Sequence, residues 1–291
     1  MVHKGELLMK LIAIDLDGTL LSSRIKISKE NRDALLNAQK EHHIMICSGR
    51  APEDIQAVLA DSDLQLDLAG SNGTAVYSNG ELLSRISIVP EAAKDAAQLL
   101  DSKNVPYKIY TSEGIYVLTD WAERTIAAVD AWDGRDSLPE NEYKRITEQP
   151  KADEVIKHLS HIDELLDKKD LSIQKFFILT LDPAVKNTLL PKLEEIKGIA
   201  PTSSGPSNLE IMNPDGHKGK ALEIMAAHLG IPMEDTVAIG DNFNDVPMLE
   251  AAGLSIAMGN ADPDVKKMCD KETLSNNDHG VAYALEHFLQ D

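Results

Sequence analysis

The run Leu11-Ile12-Ala13-Ile14 ends in Asp15-Leu16-Asp17-Gly18-Thr19. A short stretch that is apolar at every position reads as a strand buried on both faces, the kind found in parallel sheets. Gly18 and Thr19 then break the strand into a tight loop. Residues i and i+2 of a strand share a face, so Asp15 and Asp17 can leave the strand end on one side. In open α/β sheets, ligands bind beyond the carboxyl ends of the strands. Two acids at that location suit a metal, with one acid free to attack a substrate and the other to move protons. Taken alone, the fragment also fits an ordinary Asp-Gly turn.

The chain alternates strand and helix on either side of an unlike middle. Ser28 can cap a helix through about His42, Ile44 to Cys47 is a second buried strand, and Pro52 stands near the start of the next helix. Leu66 to Ala69 gives a third strand, and Thr74 to Tyr77 lies between Asn-Gly turn signals as an antiparallel extension. From Pro90 the strict order is lost. An Ala-rich helix to Leu100 precedes strands at Tyr107 to Tyr110, Ile115 to Thr119 and Phe176 to Leu181, with a helix opened by Asp182-Pro183 and running to about Lys197. Residues 132–155 are polar and irregular and receive no assignment. Alternation returns with a helix capped by Asp215, strands at Thr236 to Gly240 and Leu254 to Met258, and helices near Asp245 and Asp262. The expected fold is α/β, a doubly wound, mostly parallel Rossmann-like core sheet with an inserted α+β cap. The expected boundaries are residues 1–85 and 209–291 for the core and 86–208 for the cap.

Composition narrows the partners. The 291 residues carry a formal net charge of −19, which disfavours nucleic acid and anionic membrane. No stretch approaches ~18 apolar residues, so no membrane span is expected. Residues 1–6 are too short in apolar sequence for a signal peptide, and a cytoplasmic location is expected. Cys47 and Cys269 fit no metal spacing and no disulfide framework, and Cys47 reads as a buried, inert thiol. The acidic field would also repel a phosphate ester, so local cations must reverse its sign at any site that takes one. A like-charge pair at 4 Å costs about 4 kcal/mol at an effective dielectric of 20.

Three further segments carry candidate chemistry. Ser48, followed by Gly49, ends the second strand, where a hydroxyl and backbone N–H groups can hold a phosphoryl oxygen or simply cap a helix. Lys218 and Lys220 stand at a helix start, where positive charge opposes the helix dipole. Gly240-Asp241-Asn242-Phe243-Asn244-Asp245 follows a buried strand and offers hard oxygen ligands suited to magnesium, or an Asx-rich turn capping the next helix.

Together these segments resemble the motifs of the haloacid dehalogenase (HAD) superfamily, in the right order. Asp15 and Asp17 match the first, Ser48 the second, Lys218 the third, and Gly-Asp-x-x-Asn-Asp at Gly240 to Asp245 the fourth. The long insertion, Asn72-Gly73 and the tail Ser275 to Ala282 resemble the Cof-type branch, with Ser48 where many members carry Thr. The resemblance implies a magnesium-dependent phosphomonoesterase. Asp15 would be the nucleophile that forms an aspartyl-phosphate, and Asp17 the general acid/base. Asp15, the Asp17 backbone carbonyl and Asp241 would hold magnesium. Ser48, Gly49 and Lys218 would bind phosphoryl oxygens, Gly18 would support the site, and Asn244 and Asp245 would orient Lys218 and the metal's waters. The substrate implied is a small phosphorylated metabolite, with sugar phosphates the family's usual class. A phosphorylated cofactor, a nucleotide, a phosphomutase reaction and a silent sugar-phosphate-binding regulator stay open. Oligomeric state is not fixed by the sequence.

Overall fold

The computed structural model describes residues 9–23 and 25–289, so the opening segment used for the signal-peptide reading lies outside the described residues. Two compact units emerge, one from Met1–Ser84 with His217–Asp291, the other from Arg85–Gly216. The first unit begins β1 (Leu11–Asp15), α1 (Lys29–Ala38), β2 (His43–Cys47), α2 (Pro52–Ala60), β3 (Asp67–Gly70), β4 (Ala75–Ser78) and β5 (Glu81–Arg85). The second unit runs α3 (Pro90–Ser102), β6 (Tyr107–Thr111), β7 (Gly114–Leu118), α4 (Trp121–Asp130), α5 (Glu140–Thr147), β8 (Ile156–Leu159), α6 (Asp163–Leu166), β9 (Ile173–Leu179), α7 (Pro183–Glu194), β10 (Ala200–Thr202) and β11 (Asn208–Met212). The first unit resumes with α8 (Lys218–Leu229), β12 (Thr236–Gly240), α9 (Val246–Ala251), β13 (Leu254–Ala257), α10 (Pro263–Met268), β14 (Lys271–Glu272) and α11 (Gly280–His287).

In the first unit the described strands form one sheet in the order β14-β13-β12-β1-β2-β3-β4-β5. It is parallel from β14 to β3, and β4 runs antiparallel to β3. The alternation along β1 explains its unbroken apolar sequence. Ile12 and Ile14 pack into a cluster with residues of α1, α2 and α11, whereas Leu11 and Ala13 face residues of α8 and α9. Both faces are therefore covered, as a parallel sheet requires. Successive strands β1, β2 and β3 step one way, and the chain then returns to lay β12 beside the other edge of β1. The order reverses between β1 and β12, and such a reversal opens a crevice at the carboxyl ends of the strands.

The second unit holds a separate sheet in the order β10-β11-β9-β6-β7-β8, with an apolar cluster that includes Phe176, Ile211 and Leu100. Strand β11 belongs to this sheet, because it pairs with both β9 and β10. The second boundary accordingly falls after Gly216 rather than after residue 208. Residues 132–155, unassigned from sequence, contain α5, which packs by the Trp121 indole N–H donating to the Ile146 carbonyl at 3.2 Å. Helix α1 ends at Ala38 and α7 at Glu194, each short of its expected end.

Close approach of α8 to α9 is set by Gly219, where an added Cβ would press on the main-chain carbonyl of Pro247. Helix propensity alone would make Gly219→Ala stabilising by roughly 1 kcal/mol. The clash reverses that sign, since overpacking costs about 1–3 kcal/mol. Thermal unfolding of Gly219→Ala should therefore show a lower Tm than the parent; an unchanged or raised Tm would mean that the two helices separate freely.

Candidate active site

Asp15 is the last residue of β1 and shares the face of Leu11 and Ala13, so it points to the side on which α8 packs. Lys218 opens α8 there. Its ammonium donates to Asp15 Oδ1 at 2.5 Å and to Asp245 Oδ1 at 2.5 Å, and all three residues are buried. The helix is capped by His217, whose Nδ1 accepts the Lys220 N–H at 3.1 Å, not by Asp215. Asp215 instead sits in a turn, its N–H given to Asn213 Oδ1 at 2.9 Å, so helical backbone begins only at Lys218. Lys220 is paired with Glu223 on the half-exposed face.

Asp245 reaches back over the end of β12. Its Oδ2 accepts the N–H groups of Asp241 at 2.9 Å and Asn242 at 3.0 Å, within a capping box formed with Asn242. The Asp241 carboxylate accepts the Thr19 hydroxyl at 3.0 Å. Gly18, at φ +85°, lies so close that an added Cβ would stand 2.5 Å from Asp241 Oδ2. The loop after β1 thus admits only glycine at that position, for both backbone and space.

Ser48 is fully buried at the end of β2, and its Oγ accepts the Arg50 N–H at 3.2 Å. The N-cap of α2 is Ala51, so Ser48 is not the helix cap. Gly49 lies in this loop between them. The loop after β3 braces it: Ser71 N–H donates to the Arg50 carbonyl at 2.7 Å and Asn72 N–H to the Ser48 carbonyl at 2.9 Å. Ser71, Asn72 and Gly73 take φ of 50°, 62° and 97°, three left-handed residues in a row at a site. Asn244 donates its side-chain amide to Asn72 Oδ1 at 3.2 Å, which ties the fourth segment to this loop rather than to Lys218. Asp17 stands apart from the buried acids. Both its carboxylate oxygens accept from Arg50, Nε at 2.8 Å and Nη2 at 2.6 Å. Arg50 was absent from the sequence-derived site, although its place two residues after Ser48 in Ser48-Gly49-Arg50 marks it.

Burial, then the neighbouring Asp245 carboxylate, pushes Asp15 well above the ordinary carboxylate range, with Lys218 pulling against them. Burial and Asp245 likewise raise Asp241 to about 6, opposed by the Thr19 hydrogen bond and by Lys218. Burial works against the charge on Lys218, but Asp15 and Asp245 outweigh it and hold the ammonium above its usual pKa. Burial raises the Cys47 thiol to about 12, which makes it unreactive.

The family model of haloacid dehalogenase-like hydrolases matches residues 12–285. This chain belongs to that family. It is 32% identical to Phosphatase YwpJ of Bacillus subtilis, over 97% of this chain and 100% of the relative. It is 35% identical to the 5-amino-6-(5-phospho-D-ribitylamino)uracil phosphatase YwtE of the same organism, over 97% of this chain and 98% of the relative. A solved haloacid dehalogenase-like hydrolase from B. subtilis superposes with a TM-score of 0.81 at 30% identity, covering 96% of this chain and 100% of that one. No helix among the described residues of this hydrolase is long and apolar enough to cross a membrane.

The residues present fit a divalent cation. One carboxylate oxygen from each of Asp15, Asp241 and Asp245 lies within 4.8 Å of the others. Ionised, these three acids sum to −3, and Lys218 returns +1, which leaves −2 in a buried space. All-oxygen donors of this kind suit a hard cation. Asp245 already serves Lys218 with one oxygen and two N–H groups with the other, so Asp15 and Asp241 are the carboxylates with capacity for an ion.

In the metal-free hydrolase the folded state keeps the Asp241 proton up to about 6, whereas an ordinary Asp loses it near 3.8. The folded state then binds more protons between those values, and stability falls as pH rises through that window. A cation that requires ionised carboxylates opposes this loss. The Tm gain from added magnesium should therefore be larger at about pH 7.5 than at about pH 5. Equal gains at both would place the ion away from Asp15 and Asp241.

Proposed function

We propose that this hydrolase is a magnesium-dependent phosphomonoesterase that works through an aspartyl-phosphate on Asp15. The observation that carries the reading is the Lys218 ammonium held between Asp15 and Asp245. It fixes the Asp15 side chain and places a permanent positive charge beside the position where a phosphoryl oxygen would lie. An Asp15 oxygen attacks phosphorus as the bond to the leaving oxygen breaks, and Asp17 supplies that oxygen with a proton. Asp17 then takes a proton from the water that cleaves the acyl phosphate, which returns Asp15 as a carboxylate and releases phosphate. Asp15, the Asp17 backbone carbonyl and Asp241 would hold magnesium, whose charge offsets the substrate's. The Ser48 hydroxyl, the N–H groups around Gly49 and Lys218 receive phosphoryl oxygens. Gly18 and Asp245 keep the carboxylates and the lysine in place, and Asn244 braces the loop behind Ser48.

The substrate in this reading is a small phosphorylated metabolite, a sugar phosphate in the first instance. A second reading, a phosphorylated ribityl compound on a cofactor route, is favoured by the name of the relative YwtE. The strongly acidic chain supports neither nucleic acid nor membrane as partner. As part of the same proposal, the unit Arg85–Gly216, which contains none of the four motifs, selects the leaving group.

Asp15→Asn cannot form the acyl phosphate and should lower turnover of p-nitrophenyl phosphate by at least about a thousandfold, a barrier rise of roughly 4 kcal/mol. The fold should survive, as judged by circular dichroism. Activity of the parent should vanish on chelation and return with magnesium. Turnover by Asp15→Asn close to that of the parent would eliminate the covalent route. A panel that contains hexose phosphates and 5-amino-6-(5-phospho-D-ribitylamino)uracil separates the two substrate readings by specificity constant.

A further inference from the structure

We propose that Arg50 is a phosphate-binding residue which holds Asp17 out of action until an anionic substrate draws the guanidinium away. The inference rests on the phosphatase reading and names a residue and an order of events within that site. A general acid must present a protonated oxygen to the leaving group, but here both Asp17 oxygens accept from Arg50, at 2.8 and 2.6 Å. A carboxylate gripped in this way by a guanidinium fork has one lone pair of each oxygen engaged, so both oxygens are turned to the cation rather than to a leaving group. The pair is also reachable: the Asp17 side chain is 53% exposed and that of Arg50 28%. Water screens a pair this open, which limits what it adds to the fold.

The main chain of Arg50 is fixed while its side chain is not buried. Its N–H is spent on Ser48 Oγ and its carbonyl accepts from Ser71, which stands at the start of the left-handed run to Gly73. The guanidinium therefore swings from a rigid base, two residues from the hydroxyl assigned to phosphate. The same planar fork that binds a carboxylate matches a phosphoryl group in the same bidentate fashion. A phosphate dianion carries more charge than one carboxylate and competes for the fork. When Arg50 transfers to the phosphoryl oxygens, one charge-assisted pair is exchanged for another and no covalent bond changes. Asp17, so released, is then free to relay a proton from solvent water to the leaving oxygen.

The test is a double-mutant cycle read by calorimetric titration of inorganic phosphate into the magnesium-loaded full chain. The four proteins are the parent, Asp17→Ala, Arg50→Met and the double variant, each first shown to be folded by circular dichroism. Asp17→Ala removes the competitor and should tighten phosphate by about tenfold. Arg50→Met should weaken it, and Arg50→Lys should restore charge but only part of the affinity, because the fork is lost. In the Arg50→Met background the Asp17→Ala gain should disappear. A gain of equal size in both backgrounds would show that Asp17 acts only as a repelling charge and would overturn the exchange. Phosphate binding unchanged by Arg50→Met would do the same. Absence of binding in all four folded proteins would overturn the phosphatase reading itself, a result distinct from either.

Discussion

The ammonium of Lys218, fully buried between Asp15 and Asp245, is the contact on which the rest of the site depends. Taking three charged groups out of water is costly, and the cost is offset only if every one keeps a partner. Much of the local architecture follows from that requirement. Gly219 lets α8 lie against the Pro247 carbonyl, which brings Lys218 to Asp245. His217 caps the helix with a ring nitrogen, so the lysine starts a helix without a competing carboxylate at the cap. Asp245 uses its other oxygen on two N–H groups at the end of β12, which fixes that loop to the same lysine.

Topology supplies what local chemistry cannot. Asp15 and Lys218 are 203 residues apart, and Lys218 and Asp245 27. They meet because β1 and β12 are parallel neighbours at the point where strand order reverses, so both strands end at one crevice. The left-handed run from Ser71 to Gly73 is the matching device on the β3 side. It spends backbone strain to aim two N–H groups at the Ser48 and Arg50 carbonyls, and its burial keeps that arrangement rigid.

The parts of the fold legible in the sequence were those set by local pattern. The unbroken apolar run of β1, the Ser28 cap of α1 and the Asp182-Pro183 start of α7 each carry their cause within a few residues. The candidate acids and Lys218 were legible because strand ends and helix starts punctuate the chain, and the family resemblance then ordered them. What escaped was non-local or rested on competing local signals. The expected cap bounds of 86–208 stop short of strand β11, whose partners, β9 and β10, are identified only by pairing. Asp215 and His217 both offered caps, and the Asn213 turn decided between them. The Arg50–Asp17 pair spans 33 residues and two loops, where no periodicity connects side chains. Helix α5 has weak apolar content and is held by Trp121 from outside its own sequence.

The acidic character of the chain and the chemistry of the site are one electrostatic problem. Burial and mutual repulsion raise Asp15 and Asp241, so without a cation the charged carboxylates that the proposed reaction needs are disfavoured there. Lys218 corrects only part of this, because its single charge is shared between Asp15 and Asp245. A divalent ion at Asp15 and Asp241 would bring the buried sum from −2 to zero, and only then does a phosphate dianion meet a site that does not repel it. In the proposed reaction, ion binding, ionisation of Asp15 and acceptance of substrate are therefore linked equilibria of one cluster. The Asp17 carboxylate stands outside this buried cluster, exposed and paired with Arg50. That separation suits a group assigned to proton transfer, whose charge must change during turnover without disturbing the buried set beside it.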